Sequence, residues 1–173
     1  MPGFEIFGDE EKKEIMDVLA TGVLFRYEFI DQRKGVFKVR QFEQNFAKYC
    51  GAGHAQAVTS GTSALKVALS ALGVGPGDEV ITQGFTFVAT WEAILEVGAT
   101  PVFTEVDATL NMDPQDLHKK ITPKTKCIIP VHMLGAQARI AEIVVIAAQH
   151  NIPVLEDTAQ AAGARINGKH LGT

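Results

Sequence analysis

The sequence predicts an α/β domain with a mostly parallel sheet and helices on both faces, and three observations carry that prediction. From residue 54 onward, short β-branched runs alternate with helix-length amphipathic segments, which is the rhythm of βαβ units. The breaks between them are Gly- and Pro-rich, most clearly Gly73-Val74-Gly75-Pro76-Gly77-Asp78, where Pro forbids helix continuation and Gly supplies left-handed backbone. An apolar share of 46% with 21% charged residues over 173 positions is the balance of a packed domain rather than a disordered chain.

The first 50 residues differ in texture and read as a helical arm, residues 1–50, preceding the α/β part at 51–173. Asp9 is placed to cap a helix over 10–19, with Ile15, Met16, Val18 and Leu19 as its apolar stripe and Gly22 as its stop. A second helix is expected over 39–49, and the aromatic, arginine-containing stretch 21–38 carries little turn chemistry. Strands are expected at 55–59, 79–82, 101–106, 126–132 and 153–156. Helices are expected at 62–72, 88–97, 114–120 and 140–150. The ending Gly168-Lys169-His170-Leu171-Gly172-Thr173 brings no closing element, so an unfinished sheet is expected.

Several function classes fall away. Sixteen basic against 20 acidic residues give a net charge of −4, and no basic cluster exceeds a pair such as Lys12-Lys13, which argues against a nucleic-acid face. Apolar runs such as 127–131 fall far short of the roughly 18–20 residues a membrane span requires. The N-terminus lacks the basic and apolar regions of a signal peptide, so a cytoplasmic address is expected. Cys50 and Cys127 lie far apart and read as free thiols, and His54, His118, His150 and His170 show no metal-ligand spacing to one another or to these cysteines.

In open α/β sheets ligands bind beyond the carboxyl ends of the strands, which selects three clusters. In Thr59-Ser60-Gly61-Thr62-Ser63, a strand end meets a helix start, where free N–H groups and hydroxyls suit an anion. An ordinary Ser/Thr N-cap explains the same residues. In Gln83-Gly84-Phe85-Thr86-Phe87-Val88-Ala89-Thr90, the aromatics offer a flat face to a planar ring or simply fill the core, and Thr86 or Thr90 is placed to cap or contact it. Trp91 is assigned to packing. In Val154-Leu155-Glu156-Asp157-Thr158-Ala159-Gln160, an apolar strand ends in two acids, where Asp157 either pairs with a cationic ring nitrogen or caps the next turn, and Gln160 reaches a neighbouring oxygen. His132, at another strand end, is better explained as a core or supporting residue than as a ligand contact.

Taken in order and spacing, these segments resemble the DegT/DnrJ/EryC1/StrS family of sugar aminotransferases. The resemblance runs through Ser60-Gly61-Thr62-Ser63-Ala64-Leu65, Gly75-Pro76-Gly77-Asp78-Glu79-Val80, Phe85-Thr86-Phe87-Val88-Ala89-Thr90 and Gly98-Ala99-Thr100-Pro101-Val102-Phe103. It continues through Ile121-Thr122-Pro123-Lys124-Thr125-Lys126, Pro130-Val131-His132, Glu156-Asp157-Thr158-Ala159-Gln160-Ala161 and Gly168-Lys169. It implies the N-terminal part of a fold-type-I large domain with pyridoxal 5′-phosphate as cofactor. By that resemblance Gly61, Thr62 and Ser63 hold the phosphate, Phe87 stacks on the ring, Asp157 pairs with the pyridinium nitrogen and Gln160 approaches the ring hydroxyl.

The family's Schiff-base lysine follows a Ser-Phe segment that has no match here. The resemblance therefore implies a fragment that lacks the lysine, the rest of the large domain and the small domain, and that does not turn over. The opening Met1-Pro2-Gly3-Phe4-Glu5-Ile6-Phe7-Gly8, with Phe25-Arg26-Tyr27, resembles the subgroup that aminates an 8-oxo-octulosonate in lipopolysaccharide biosynthesis, with glutamate as donor. A nucleotide-linked keto-hexose is the commoner family substrate. Arg26 becomes a candidate contact for an anionic substrate, beside its plainer role as an exposed or structural arginine. The resemblance also implies a homodimer. Three other readings stand beside it: a dehydratase of the same family that uses the pyridoxamine form with histidine for lysine, a non-catalytic regulatory relative, and a simple nucleotide-binding domain.

Overall fold

A computed structural model describes residues 3–173, and the chain divides into two compact units, residues 1–57 and 58–173. The first holds α1 (Asp9–Thr21), α2 (Ile30–Arg33) and α3 (Lys38–Cys50). Asp9 is not the cap of α1 but its first residue. Gly8 takes the cap position, and the Glu11 carboxylate accepts the Gly8 N–H at 2.7 Å. The change follows from the acids Asp9, Glu10 and Glu11 all occupying the first turn, where the helix dipole favours negative charge. Gly22 ends the helix as expected, at φ +70° with its N–H on the Leu19 carbonyl. The expected apolar stripe stays open: Ile15, Met16 and Leu19 are about half exposed (50%, 59% and 49%) and α1 buries no residue.

In the second unit α4 (Gly61–Ala71), β1 (Glu79–Gln83), α5 (Ala89–Glu96), β2 (Thr100–Thr104), α6 (Pro114–Lys120), β3 (Thr125–Ile129) and α7 (Ile140–Gln149) alternate in the predicted order. A small hairpin follows, β4 (Arg165–Ile166) antiparallel to β5 (Lys169–His170). The main sheet is parallel in the order β2-β1-β3, with Ile81 opposite both Val102 and Ile128. The strand expected at 153–156 is replaced by a segment that runs parallel to β3 through isolated bridges, Ile128 with Val154 and Val131 with Asp157. Its backbone bonds to 128–132 are regular, so this segment carries Asp157 to the same edge as the strand ends.

The expected strand at 55–59 is absent. Its residues belong to no strand and find no ladder partner, and the Ala57 N–H goes instead to the Glu43 carboxylate at 2.7 Å, within the first unit. Backbone pairing, not β-branched composition, makes a strand.

Period-2 alternation places two apolar faces on the sheet. Val80, Cys127 and Ile129 pack with Leu65, Leu69, Ala93 and Ile94 from α4 and α5. Ile81 and Ile128 pack with Leu117, Ile143 and Ala147 from α6 and α7. Both faces are thus covered, as a parallel sheet requires. Cys127 and Cys50 are free thiols, and burial pushes the Cys127 thiol up to about 12, keeping it a neutral packing group. Gly98, at φ +82°, lies so close to Pro76 that an added Cβ would stand 2.9 Å from its ring, which locks the α5–β2 turn against the 73–78 loop. Among the described residues no helix is long and apolar enough to cross a membrane, and no group of three or more His, Cys, Asp or Glu side chains is arranged to hold a metal.

Candidate cofactor site

The start of α4, the β1–α5 loop and the segment after residue 156 converge on a cavity of about 250 Å³. Its lining includes Gly61, Thr62, Thr86, Phe87, Thr90, Asp157 and Gln160. The two explanations of the α4 start coexist. Ser60 caps the helix, its Oγ accepting the Ser63 N–H at 3.1 Å, while the N–H groups of Gly61 and Thr62 find no acceptor among the described residues. Ser63 does not line the cavity. Its hydroxyl accepts from Ser60 Oγ at 3.0 Å and lies 3.2 Å from Thr59 Oγ1.

Across the cavity Asp157 is only half-buried, and its carboxylate is held at both oxygens. Oδ1 accepts the Ala159 N–H at 3.1 Å, which is the turn-capping role, and Oδ2 accepts the Thr90 hydroxyl at 3.0 Å. Each oxygen retains a second lone pair. Phe87 stands 67% exposed at the rim, a large apolar ring that the core does not use. The alternative that this aromatic fills the core is therefore excluded. Trp91 packs edge-to-face with Phe103, as its assignment to packing expects. Gln160 is exposed, and its Oε1 accepts the Leu134 N–H at 2.9 Å, which leaves the Nε2 donors without an acceptor among the described residues.

Beneath the site lies a set of buried polar residues that sequence reasoning missed or underread. Gln83 Oε1 accepts from Met112 N and Val131 N at 3.2 and 3.1 Å, while its Nε2 donates to the Phe85 and Leu110 carbonyls at 3.0 and 3.3 Å. Asn111 accepts the Met133 N–H and donates to the Thr109 and Ala136 carbonyls. His132 has no exposed surface: Nδ1 accepts the Ala138 N–H at 3.0 Å, so Nε2 carries the proton toward Glu156 Oε2 at 2.9 Å. It supports the site's floor without lining the cavity, in line with the supporting role expected for it. The only sequence signal for Gln83 is a polar residue at a strand end, and Asn111, in the loop between β2 and α6, carries none.

Arg26 belongs to the first unit, where its Nη2 bonds both Glu43 carboxylate oxygens at 2.8 and 2.7 Å. The guanidinium holds the Glu43 carboxyl below its ordinary range, and the Ala57 N–H adds to the effect. This is the structural role for Arg26.

Together, an anion-ready helix start, an unburied ring and a carboxylate with spare lone pairs fit a phosphorylated, nitrogen-containing aromatic ring. No lysine lines the cavity among the described residues.

Comparison with known proteins identifies the family of the chain. The chain is 41% identical over 172 residues to 3-amino-5-hydroxybenzoate synthase of Amycolatopsis mediterranei, covering 99% of the chain and 42% of that protein. It is 48% identical over 133 residues to UDP-2-acetamido-2-deoxy-3-oxo-D-glucuronate aminotransferase of Pseudomonas aeruginosa, covering 76% of the chain and 37% of that protein. Among solved structures, NtdA of Bacillus subtilis with bound cofactor PMP superposes with a TM-score of 0.82 at 33% identity, covering 94% of the chain and 36% of that protein. The chain thus spans about two fifths of the length of such relatives. Residues 7–173 match one family throughout, and the chain belongs to the DegT/DnrJ/EryC1/StrS aminotransferase family.

Proposed function

We propose that the chain is the cofactor-binding part of a pyridoxal 5′-phosphate-dependent aminotransferase that transfers an amino group from an amino acid to a keto sugar. The observation that carries the reading is the convergence of Gly61, Thr62, Phe87, Asp157 and Gln160 on one cavity in a chain of this family. When bound, the cofactor supplies an electron sink for the negative charge left when a substrate α-proton departs.

The chain's own residues make that site. The unsatisfied N–H groups of Gly61 and Thr62 receive phosphate oxygens at the positive end of α4, and the Thr62 hydroxyl adds a donor. Ser63 accepts from Ser60, so its own hydrogen is free for Thr59 or for a phosphate oxygen at the same helix start. Phe87 excludes water from one face of the ring. Asp157, its carboxylate already oriented by Thr90 and Ala159, keeps the ring nitrogen protonated. Gln160, its amide orientation fixed by Leu134, donates from Nε2 to the ring hydroxyl.

The sugar class follows from two sources. The nucleotide-linked keto sugar named for the Pseudomonas relative supports that class, while the resemblance of Met1–Gly8 and Phe25-Arg26-Tyr27 to the octulosonate subgroup favours an 8-oxo-octulosonate for lipopolysaccharide, with glutamate as donor. The reading carries a homodimer in the cytoplasm. The test is an equilibrium titration with pyridoxamine 5′-phosphate followed by fluorescence. Saturable one-to-one binding is expected, and no binding up to millimolar ligand would remove the cofactor assignment.

A further inference from the structure

Thr90 is the second residue of α5 with 1% of its surface exposed, too near the helix start for a helical carbonyl four residues earlier to take its hydroxyl, which is therefore open to other partners. It lies 3.0 Å from Asp157 Oδ2 and 3.1 Å from Thr86 Oγ1. An ionised carboxylate only accepts, so the Thr90 hydrogen must point to Asp157. Thr90 Oγ1 is then left as the acceptor of the Thr86 hydrogen. The result is a one-way chain, Thr86 to Thr90 to Asp157, whose links polarise one another in a half-buried setting. The Ala159 N–H completes the arrangement on Oδ1.

These bonds determine where the carboxylate can still act. With one donor on each oxygen from the protein side, its rotation is arrested and the remaining lone pairs are left for the cavity that both Thr90 and Asp157 line. A charged hydrogen bond is strong only when it is aligned, and misalignment of a fixed acceptor is costly in a small, partly dry site. We propose that Thr90, backed by Thr86, is a positioning residue that fixes the Asp157 carboxylate against the ring nitrogen of the bound cofactor, so that the β1–α5 loop sets the protonation of the ring. This inference rests on the cofactor reading above and adds a residue to it.

The experiment is a titration of the chain with pyridoxamine 5′-phosphate, comparing wild type with Thr90→Val, Thr90→Ser, Thr86→Val and Asp157→Asn. Fold is followed by circular dichroism, and the absorption maximum of the bound ligand reports ring protonation. Thr90→Val keeps the shape and removes the donor. Its affinity is expected to fall about three- to tenfold, and its bound spectrum to move toward the neutral-ring form. Thr90→Ser keeps the hydroxyl and should match wild type within about twofold, while Thr86→Val should show a smaller loss than Thr90→Val. If wild type binds, Asp157→Asn weakens binding and Thr90→Val does not, the positioning role is overturned while the cofactor site stands. Serine failing to restore the wild-type spectrum would overturn it as well, including where the valine variant misfolds. If wild type itself does not bind, the cofactor reading fails and takes this inference with it.

Discussion

Two carboxyl-end regions of the same sheet treat their polar side chains in opposite ways. At the end of β1, Gln83 is fully buried and uses all of its hydrogen-bonding capacity on the backbone of the loops around Met112, Val131, Phe85 and Leu110. A few residues away in space, on the segment beside β3, Asp157 is half-buried and satisfied on the protein side alone, with lone pairs left for the cavity. A saturated polar group in a core acts as a staple. One that keeps capacity at a concave surface is available to a ligand, and chemical type alone does not separate the two.

The largest expected effect comes from breaking the staple. Gln83→Met keeps the volume and deletes four hydrogen bonds, leaving the buried N–H groups of Met112 and Val131 without partners. A stability loss of about 3 to 4 kcal/mol is expected in urea or thermal unfolding, since each orphaned buried group costs roughly 1 to 3 kcal/mol. A loss below about 1 kcal/mol would mean that the staple is not structural and that the contrast with Asp157 is empty.

Asp157→Asn tests the other side. Asparagine retains an acceptor for Thr90 or Ala159, so stability should change by less than about 1 kcal/mol. Affinity for pyridoxamine 5′-phosphate should fall by about 2 to 3 kcal/mol, the magnitude of a hydrogen bond to a charged partner. A variant as unstable as Gln83→Met, with unaltered affinity, would reassign Asp157 to the scaffold.

This contrast also shows which parts of the molecule were legible in the sequence. β1 to β3 and α4 to α7 fall within a few residues of expectation because their apolar periodicity and Gly/Pro punctuation are local properties. Residues 55–59 have the composition of a strand but no partner, and pairing is a property of two segments that one segment cannot display. The end of the 153–157 segment was found because two acids after an apolar run are conspicuous. Gln83 was not, because a polar residue at a strand end looks like the start of any loop. Thr90 was visible only as one of two threonines near a candidate ring site, since its bond to Asp157 joins residues 67 positions apart. Ser63 shows the reverse: its motif position is plain, yet the fold turns its N–H onto Ser60 rather than into the cavity.

A third carboxylate sharpens the comparison with the smallest effect. Glu43 in the first unit is 8% exposed and, unlike Asp157, gives its charge entirely to the protein: two bonds from Arg26 and one from the Ala57 N–H. Arg26, and then the backbone bond, hold its carboxyl below the ordinary value of 4.5. The folded chain therefore gives up this proton more readily than the unfolded chain. The stability it supplies is present above about pH 4.5 and is lost as the pH falls through the lowered value. Glu43→Gln keeps an acceptor for Ala57 but loses the ion pair, so the variant should be less stable than wild type at pH 7 and converge on it as the medium is acidified. Following the unfolding midpoints of both from pH 7 to pH 3 checks this. A gap that stays constant across that range would show that the Arg26–Glu43 contact works by shape rather than by charge. Glu43 would then be no example of a fully used carboxylate, and the distinction would rest on Gln83 and Asp157 alone.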